Sequence, residues 1–209
     1  MGITQQKLFV KQKAEIGEVF TSVEGENNYI ISDEKNNKLY TAIEKSNFAA
    51  RNLIRGIAPF KVTLYDTKKT ELYTINKQTS FIFSKYKIDT NAKDLGTIQR
   101  RFAFLKKKYT IHDDKGFIQL KCISAFFHPW TFRIFKNGQQ IAVISKKWSG
   151  ITKEAFTDAD SFMIDYMSIK DQWLKQMILA LSIAIDYDFF EKNSNNKNKN
   201  TLLNLVKKK

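Results

Sequence analysis

Two histidines and one cysteine are all that this 209-residue chain offers for imidazole or thiolate chemistry. His112 falls in an Asp/Lys/Gly turn and His128 directly precedes Pro129, far apart in sequence and with no motif around either. Cys122 is alone, which excludes an intramolecular disulfide and gives a metal cluster no thiolate partner. It reads as a small buried hydrophobe. No Ser-His-Asp order, metal-ligand pair or Gly-rich phosphate loop can be read out, so neither an enzyme nor a small-molecule substrate is expected. What remains is charge: 35 Lys and Arg against 21 Asp and Glu leave +14. A balance that basic favours polyanionic partners, either anionic phospholipid surfaces or nucleic acid, with plain solubility as the bland alternative.

The cations fall in short clusters. Arg100 and Arg101, then Lys106, Lys107 and Lys108, then Lys146 and Lys147 punctuate the ends of predicted strands. In a strand Lys106 and Lys108 share one face and Lys107 takes the other. Arg51 and Arg55 form an i,i+4 basic pair on a short helix expected over Ser46–Ile57. Each Lys or Arg near an anionic bilayer contributes about 1 kcal/mol, so four to six co-facial ones would support reversible binding. The C-terminal Leu202, Leu203, Leu205 and Val206, followed by Lys207, Lys208 and Lys209, form an apolar patch beside a polybasic end. That pairing suits a second membrane contact. The Lys- and Asn-rich stretch before it reads as flexible, giving one domain over 1–191 and a basic tail over 192–209.

Elements able to position these groups are mostly strands. Asn28–Ser32 and Lys38–Ile43, Phe60–Tyr65 and Glu71–Ile75, and Lys107–Ile111 and Phe117–Ile123 are β-prone runs flanking polar turns. Trp130–Phe135 and Gln140–Ser145 flank Asn137-Gly138, the strongest short-range hairpin signal. Further strands near Lys7–Lys11, Glu18–Ser22, Thr79–Tyr86, Leu95–Phe102 and Ser161–Tyr166 bring the total to about a dozen, with the aromatics alternating as core residues. The spacing predicts an antiparallel sandwich or closed barrel, without βαβ alternation.

Two segments break the pattern, the short helix expected over Ser46–Ile57 and a longer one near the C-terminus. Ser168 and Asp171 fit a capping box, and the helix they open runs through Lys175 into the apolar Met177–Ile185. A helix apolar on all sides is a membrane span or the inside of a protein. The uncharged window between Lys175 and Asp186 is ten residues, about half the ~20 a bilayer core requires. The fitting account is a hydrophobic helix threaded through a β-barrel, with Asp186 and Asp188 near a wet mouth.

The stretches Ile144–Ile151, Glu154-Ala155-Phe156-Thr157-Asp158-Ala159-Asp160-Ser161-Phe162 and Ile183–Glu191 resemble the phospholipid scramblase family. Gly25–Ile31 is similar to that family's early strand and Asn137–Ala142 to its late hairpin, so the likeness covers about Leu8 to Glu191. The resemblance implies the tubby-like fold, twelve strands closed around a central hydrophobic helix, shared with phosphoinositide-binding tubby proteins and LURP-one-related proteins. It also implies a calcium-dependent, membrane-associated protein linked to lipid movement between leaflets. The chain lacks the family's proline-rich arm and its cysteine cluster for palmitoylation, and Gln6 stands where a myristoylation signal wants Ser or Thr.

The family's calcium segment falls on Asp158–Ile169, where Asp158, Asp160 and Asp165 could offer carboxylates. A calcium loop of that length wants an acid at its twelfth position and Gly at its sixth, and here Ile169 and Met163 stand there. The alternation of Phe162, Ile164 and Tyr166 reads instead as a strand, so no cofactor is required and calcium is the weaker expectation. The expectation is therefore a cytoplasmic, peripherally membrane-associated barrel that binds anionic phospholipid. A nucleic-acid binder and a protein-interaction barrel are its rivals.

Overall fold

The computed structural model describes residues 2–13, 28–45, 59–124, 126–146 and 161–190. Twelve strands run in chain order: β1 (Lys7–Lys13), β2 (Asn28–Ser32), β3 (Lys38–Lys45), β4 (Phe60–Asp66), β5 (Glu71–Lys77) and β6 (Lys85–Asp89) come first. They continue as β7 (Asp94–Arg101), β8 (Lys108–His112), β9 (Ile118–Ser124), β10 (Thr131–Lys136), β11 (Gln139–Ser145) and β12 (Ser161–Asp165). Each pairs antiparallel with its neighbours in sequence, and β1 also pairs with β12, Leu8 opposite Ile164, which closes the barrel. Closure leaves no free edge.

Three of the hairpins use the same turn chemistry. Asp33, Asp66 and Asp113 each accept, on Oδ1, the backbone N–H groups two and four residues on, at 2.8–3.1 Å. The fourth residue of each turn, Asn36, Lys69 or Gly116, takes positive φ, and the strand after it enters with a one-residue register shift. In each the N–H of that fourth residue also donates to the aspartate carbonyl, at 3.0–3.1 Å, so a tight turn is followed by a bulge. Asn137 and Gly138 have φ of 50° and 82°, the mirror-image turn that their dipeptide predicts.

Because successive strands alternate direction, these tight turns all lie at one end of the barrel and the longer connections at the other. We call the two ends the turn rim and the loop rim.

The helix α1 (Gln172–Phe189) fills the lumen. An eight-stranded barrel has room only for side chains, whereas twelve strands leave space for a helix about 10–12 Å across. Met177, Ile178, Leu179, Leu181 and Ile185 are fully buried against inward residues such as Leu8, Ile31, Ile75, Ile98, Phe132 and Ile144. A rod apolar on every side is satisfied only by such an enclosure.

Tyrosines on the wall dock it further. The Tyr166 hydroxyl donates to the Lys175 carbonyl (3.1 Å), Tyr73 to the Gln176 carbonyl (3.4 Å) and Tyr29 to the Asp186 carboxylate (3.0 Å). At the turn rim Lys175 is buried and its Nζ donates to the Gln5 carbonyl at 2.7 Å.

Several expectations need correction. The helix cap is Asp171, whose carboxylate accepts the Leu174 N–H at 3.1 Å, and not Ser168. Met167 (φ 49°) and the bond from the Ile169 N–H to the Tyr166 carbonyl make residues 166–169 a turn that ends before the helix begins. The strand expected over Thr79–Tyr86 starts only at Lys85, and Phe81 and Ile82 project from the loop before it. Asp186 is 1% exposed, so it is not a wet mouth residue. The strand expected over Glu18–Ser22 and the short helix over Ser46–Ile57 lie outside the described residues.

Candidate functional site

The loop rim is where the helix ends and where three connections carry unusual side chains. The β5–β6 loop holds Phe81 and Ile82, the β7–β8 loop Phe104 and Leu105, and the β9–β10 loop Phe126 and Phe127. Phe127 is 86% exposed, Phe81 82% and Phe104 80%. Phe102 and Trp130 are exposed on the same rim. Of eleven exposed large hydrophobic residues among those described, eight lie here, which sets this end apart from the rest of the surface. The aromatics expected to alternate as core residues therefore do not all do so: Tyr29, Tyr73, Tyr86, Tyr109 and Phe132 in strands face the helix, whereas Phe81, Phe104 and Phe127 in the loops of this rim face water.

Beneath the loop tips, cations gather on the end of the helix. Arg100 lies 4.5 Å from the centroid of the Phe189 ring. Lys107 Nζ sits 3.5 Å from the Trp130 ring and 4.5 Å from Phe189, and donates to the Pro129 carbonyl at 3.2 Å. Lys146 Nζ lies 3.6 Å from the Phe190 ring. Cation–π attraction holds all three against the aromatic plug. Partial burial and the neighbouring Arg100 push the Lys107 ammonium down to about 8.

The C-terminal turn of the helix is fixed by Asp188, which accepts from Ser84 Oγ (2.6 Å), Tyr86 OH (2.7 Å) and Tyr109 OH (2.6 Å). Burial, then the Asp188 charge, push both phenols well above their ordinary value, so they remain donors. Asp188 thus sets where Phe189 and Phe190 sit, and with them the platform on which Arg100, Lys107 and Lys146 converge.

The basic residues singled out in the sequence are consequently split. Arg100, Lys107 and Lys146 come together on the loop rim. Arg101 faces the outer wall, where its Nε donates to Thr110 Oγ1 at 2.9 Å, and Lys108 stands opposite it in register. Lys106 lies outside the strand, so it does not share a strand face with Lys108; it is exposed beside the Phe104–Leu105 tip. Arg51, Arg55 and Lys147 lie outside the described residues, as do Leu202, Leu203, Leu205, Val206, Lys207, Lys208 and Lys209.

Of the calcium candidates, Asp165 stands at the turn rim with Oδ1 accepting the Met167 N–H at 2.8 Å, while Asp158 and Asp160 lie outside the described residues. Phe162 and Ile164 face inward from β12, as strand alternation requires. His112, bonded to the Gly116 carbonyl and Thr110 Oγ1, sits at the turn rim, and His128 sits on the opposite loop rim. Cys122 is buried in the core, which pushes its thiol up.

The loop tips are what the sequence reading missed. The signal was present: Phe81-Ile82-Phe83, Phe102-Ala103-Phe104-Leu105 and Phe126-Phe127 are apolar runs too short or too poorly alternating to make strands.

A closed twelve-stranded barrel plugged by a C-terminal hydrophobic helix is the architecture that the sequence resemblance implies. A family profile described as Scramblase matches residues 2–192. The chain belongs to the scramblase family. It is 26% identical over 204 residues to phospholipid scramblase 1 of Mus musculus, covering 90% of this chain and 62% of that protein. Phospholipid scramblase 2 of Homo sapiens is 29% identical, with 88% of this chain and 67% of that protein covered. Altered inheritance rate of mitochondria protein 25 of Saccharomyces cerevisiae is 22% identical, with 92% and 72% covered. This chain thus spans rather less than two thirds of the mouse relative's length. No solved structure matches.

Proposed function

We propose that this scramblase-family protein is a peripheral membrane protein that binds anionic phospholipid and takes part in phospholipid movement between leaflets. The supporting observation is the convergence of Arg100, Lys107 and Lys146 on the aromatic end of α1, on the same rim as the exposed apolar loop tips. No helix among the described residues is long and apolar enough to cross a membrane. Lipid movement on this reading requires oligomers or local disturbance of the bilayer, and rapid flipping by dilute monomers in liposomes would refute that part.

The test is co-sedimentation with vesicles of phosphatidylcholine alone and of phosphatidylcholine with phosphatidylserine, over a salt series, beside a DNA shift assay. Binding should require phosphatidylserine and weaken with salt. At about 1 kcal/mol per cation, replacing Arg100, Lys107 and Lys146 together by Gln should weaken it on the order of a hundredfold at low salt. Binding indifferent to lipid charge, or DNA affinity exceeding vesicle affinity, would defeat the proposal. A parallel arm with calcium tests Asp158, Asp160 and Asp165: tighter binding lost on replacing Asp158 and Asp160 would bring the ion into the account.

A further inference from the structure

The loop tips bear on how the barrel would meet a bilayer. Phe81 and Ile82, Phe104 and Leu105, and Phe126 and Phe127 stand on three separate connections of one rim, at the far end from the Asp-capped turns. Phe126 and Phe127 pack edge to face on each other, with centroids 4.9 Å apart, so that tip presents a preformed aromatic pair. Three protruding tips are a poor match for a flat protein surface but suit a fluid one that closes around each separately.

Charge complementarity supplies the second observation. Lys106 adjoins the Leu105 tip, Lys107 lies on Trp130 beside the Phe126–Phe127 tip, and Arg100 and Lys146 lie beneath on Phe189 and Phe190. Apolar tips ahead of a collar of cations reproduce the layering of a bilayer leaflet, with acyl chains beneath phosphates.

We infer that the barrel docks end-on against an anionic phospholipid bilayer, inserting the tips Phe81–Ile82, Phe104–Leu105 and Phe126–Phe127 below the phosphates, with Arg100, Lys106, Lys107 and Lys146 at phosphate level. This rests on the lipid-binding proposal above and fixes its orientation. The turn rim, with Lys35 and Lys115 at its hairpin tips, faces away from the membrane.

The full chain carries one native cysteine, Cys122, buried in the core, so a label can be directed elsewhere. Bimane placed through Ile82→Cys, Leu105→Cys or Phe127→Cys should be quenched by nitroxide lipids in vesicles of phosphatidylserine and phosphatidylcholine in equal parts. Bimane at Lys35→Cys or Lys115→Cys should not. A triple Ile82→Asn, Leu105→Asn, Phe127→Asn variant, folded by circular dichroism, should partition at least about thirtyfold more weakly, each lost side chain accounting for up to tenfold. Vesicle-bound protein quenched at Lys35 or Lys115, or at none of the five sites, overturns end-on docking and leaves the lipid proposal standing. Failure of the unsubstituted chain to sediment with any vesicle removes both.

Discussion

Asp188→Ala tests whether the loop rim is built from the helix end outward. The carboxylate receives three hydroxyls, from Ser84, Tyr86 and Tyr109, each within 2.7 Å. Both tyrosines are fully buried, while Ser84 is only half-buried, so water can replace the lost acceptor for Ser84 and not for the phenols. A hydrogen bond to a charged acceptor contributes about 1.5–3 kcal/mol, and leaving a buried donor unmet costs a similar amount. Tyr86 keeps a second acceptor in the Ala184 carbonyl, 3.4 Å away, which lowers its share. The total loss should be about 3–5 kcal/mol, a large part of a typical domain's stability.

Urea unfolding followed by circular dichroism reads this directly. With a slope of about 2 kcal/mol/M, the midpoint should fall by roughly 2 M at unchanged slope. Adding Tyr109→Phe to Asp188→Ala should restore part of the loss, because the stranded hydroxyl goes with it. The two substitutions should therefore be non-additive by about 1 kcal/mol or more. A midpoint shift under about 0.5 M, or strict additivity, would show that Asp188 does not organise the rim and that the cation platform has another origin.

Other perturbations act on the rim charge, a strand glycine and the helix cap. Lys107 is held near 8 in the folded chain against an ordinary 10.5, so the unfolded state binds its proton more tightly and stability should rise as pH climbs from about 8 toward 10.5. Binding to phosphatidylserine vesicles should move the opposite way, falling about fivefold between pH 7 and 9 as one rim charge is lost, and Lys107→Arg should flatten that fall. Gly96 has φ of 130°, and a Cβ there would run into the His112 carbonyl oxygen. Gly96→Ala should accordingly cost several kcal/mol, on the order of 3 or more, in the same urea assay. Asp171→Ala should cost about 1 kcal/mol through the lost helix cap, and Ser168→Ala under about 0.5, reversing the order that the sequence pattern suggests.

The fold was legible in the sequence because its signals are local or global but rarely intermediate. Asn137-Gly138 and the polar five-residue turns announce hairpins, and a rod apolar on all sides but too short to span demands an enclosure. The helix cap was misread because Ser168-Ile169-Lys170-Asp171 satisfies the capping-box pattern, whereas an aspartate competes equally well for the cap itself. The site was only half legible. Sequence clustering put Arg100 and Arg101 together, but strand alternation sends them to opposite faces, and only the closed barrel brings Lys146 next to Arg100 and Lys107. The loop tips were hidden by the expectation that Phe-rich runs belong to strands, which fails where no partner strand remains to cover them.

The outer wall bears on the proposed action on lipid. Lys85, Lys87 and Asp89 point outward from β6, with Lys87 bridged to Asp89 and Asp94 at 2.8 and 3.3 Å, and Lys121 and Arg133 are exposed on β9 and β10. A barrel that spans a bilayer carries an apolar outer band, and Lys or Arg at its midplane costs about 2–4 kcal/mol each. A wall with this many charges belongs in water. The helix has equally little reason to leave the lumen. Lipid could replace the apolar contacts of Ile178 or Leu181, but not the hydroxyls that Tyr29, Tyr86 and Tyr109 give to Asp186 and Asp188. Extraction would strand both carboxylates in hydrocarbon and leave the apolar inward face of twelve strands open to water. On the docking proposed above, any polar path for lipid would have to arise in the bilayer itself, where the loop rim would wedge aromatic tips between headgroups and draw phosphates toward Arg100 and Lys107. On that proposal an isolated barrel would supply one such wedge and several on one patch of membrane would thin it far more, so any lipid movement should depend on the density of bound protein.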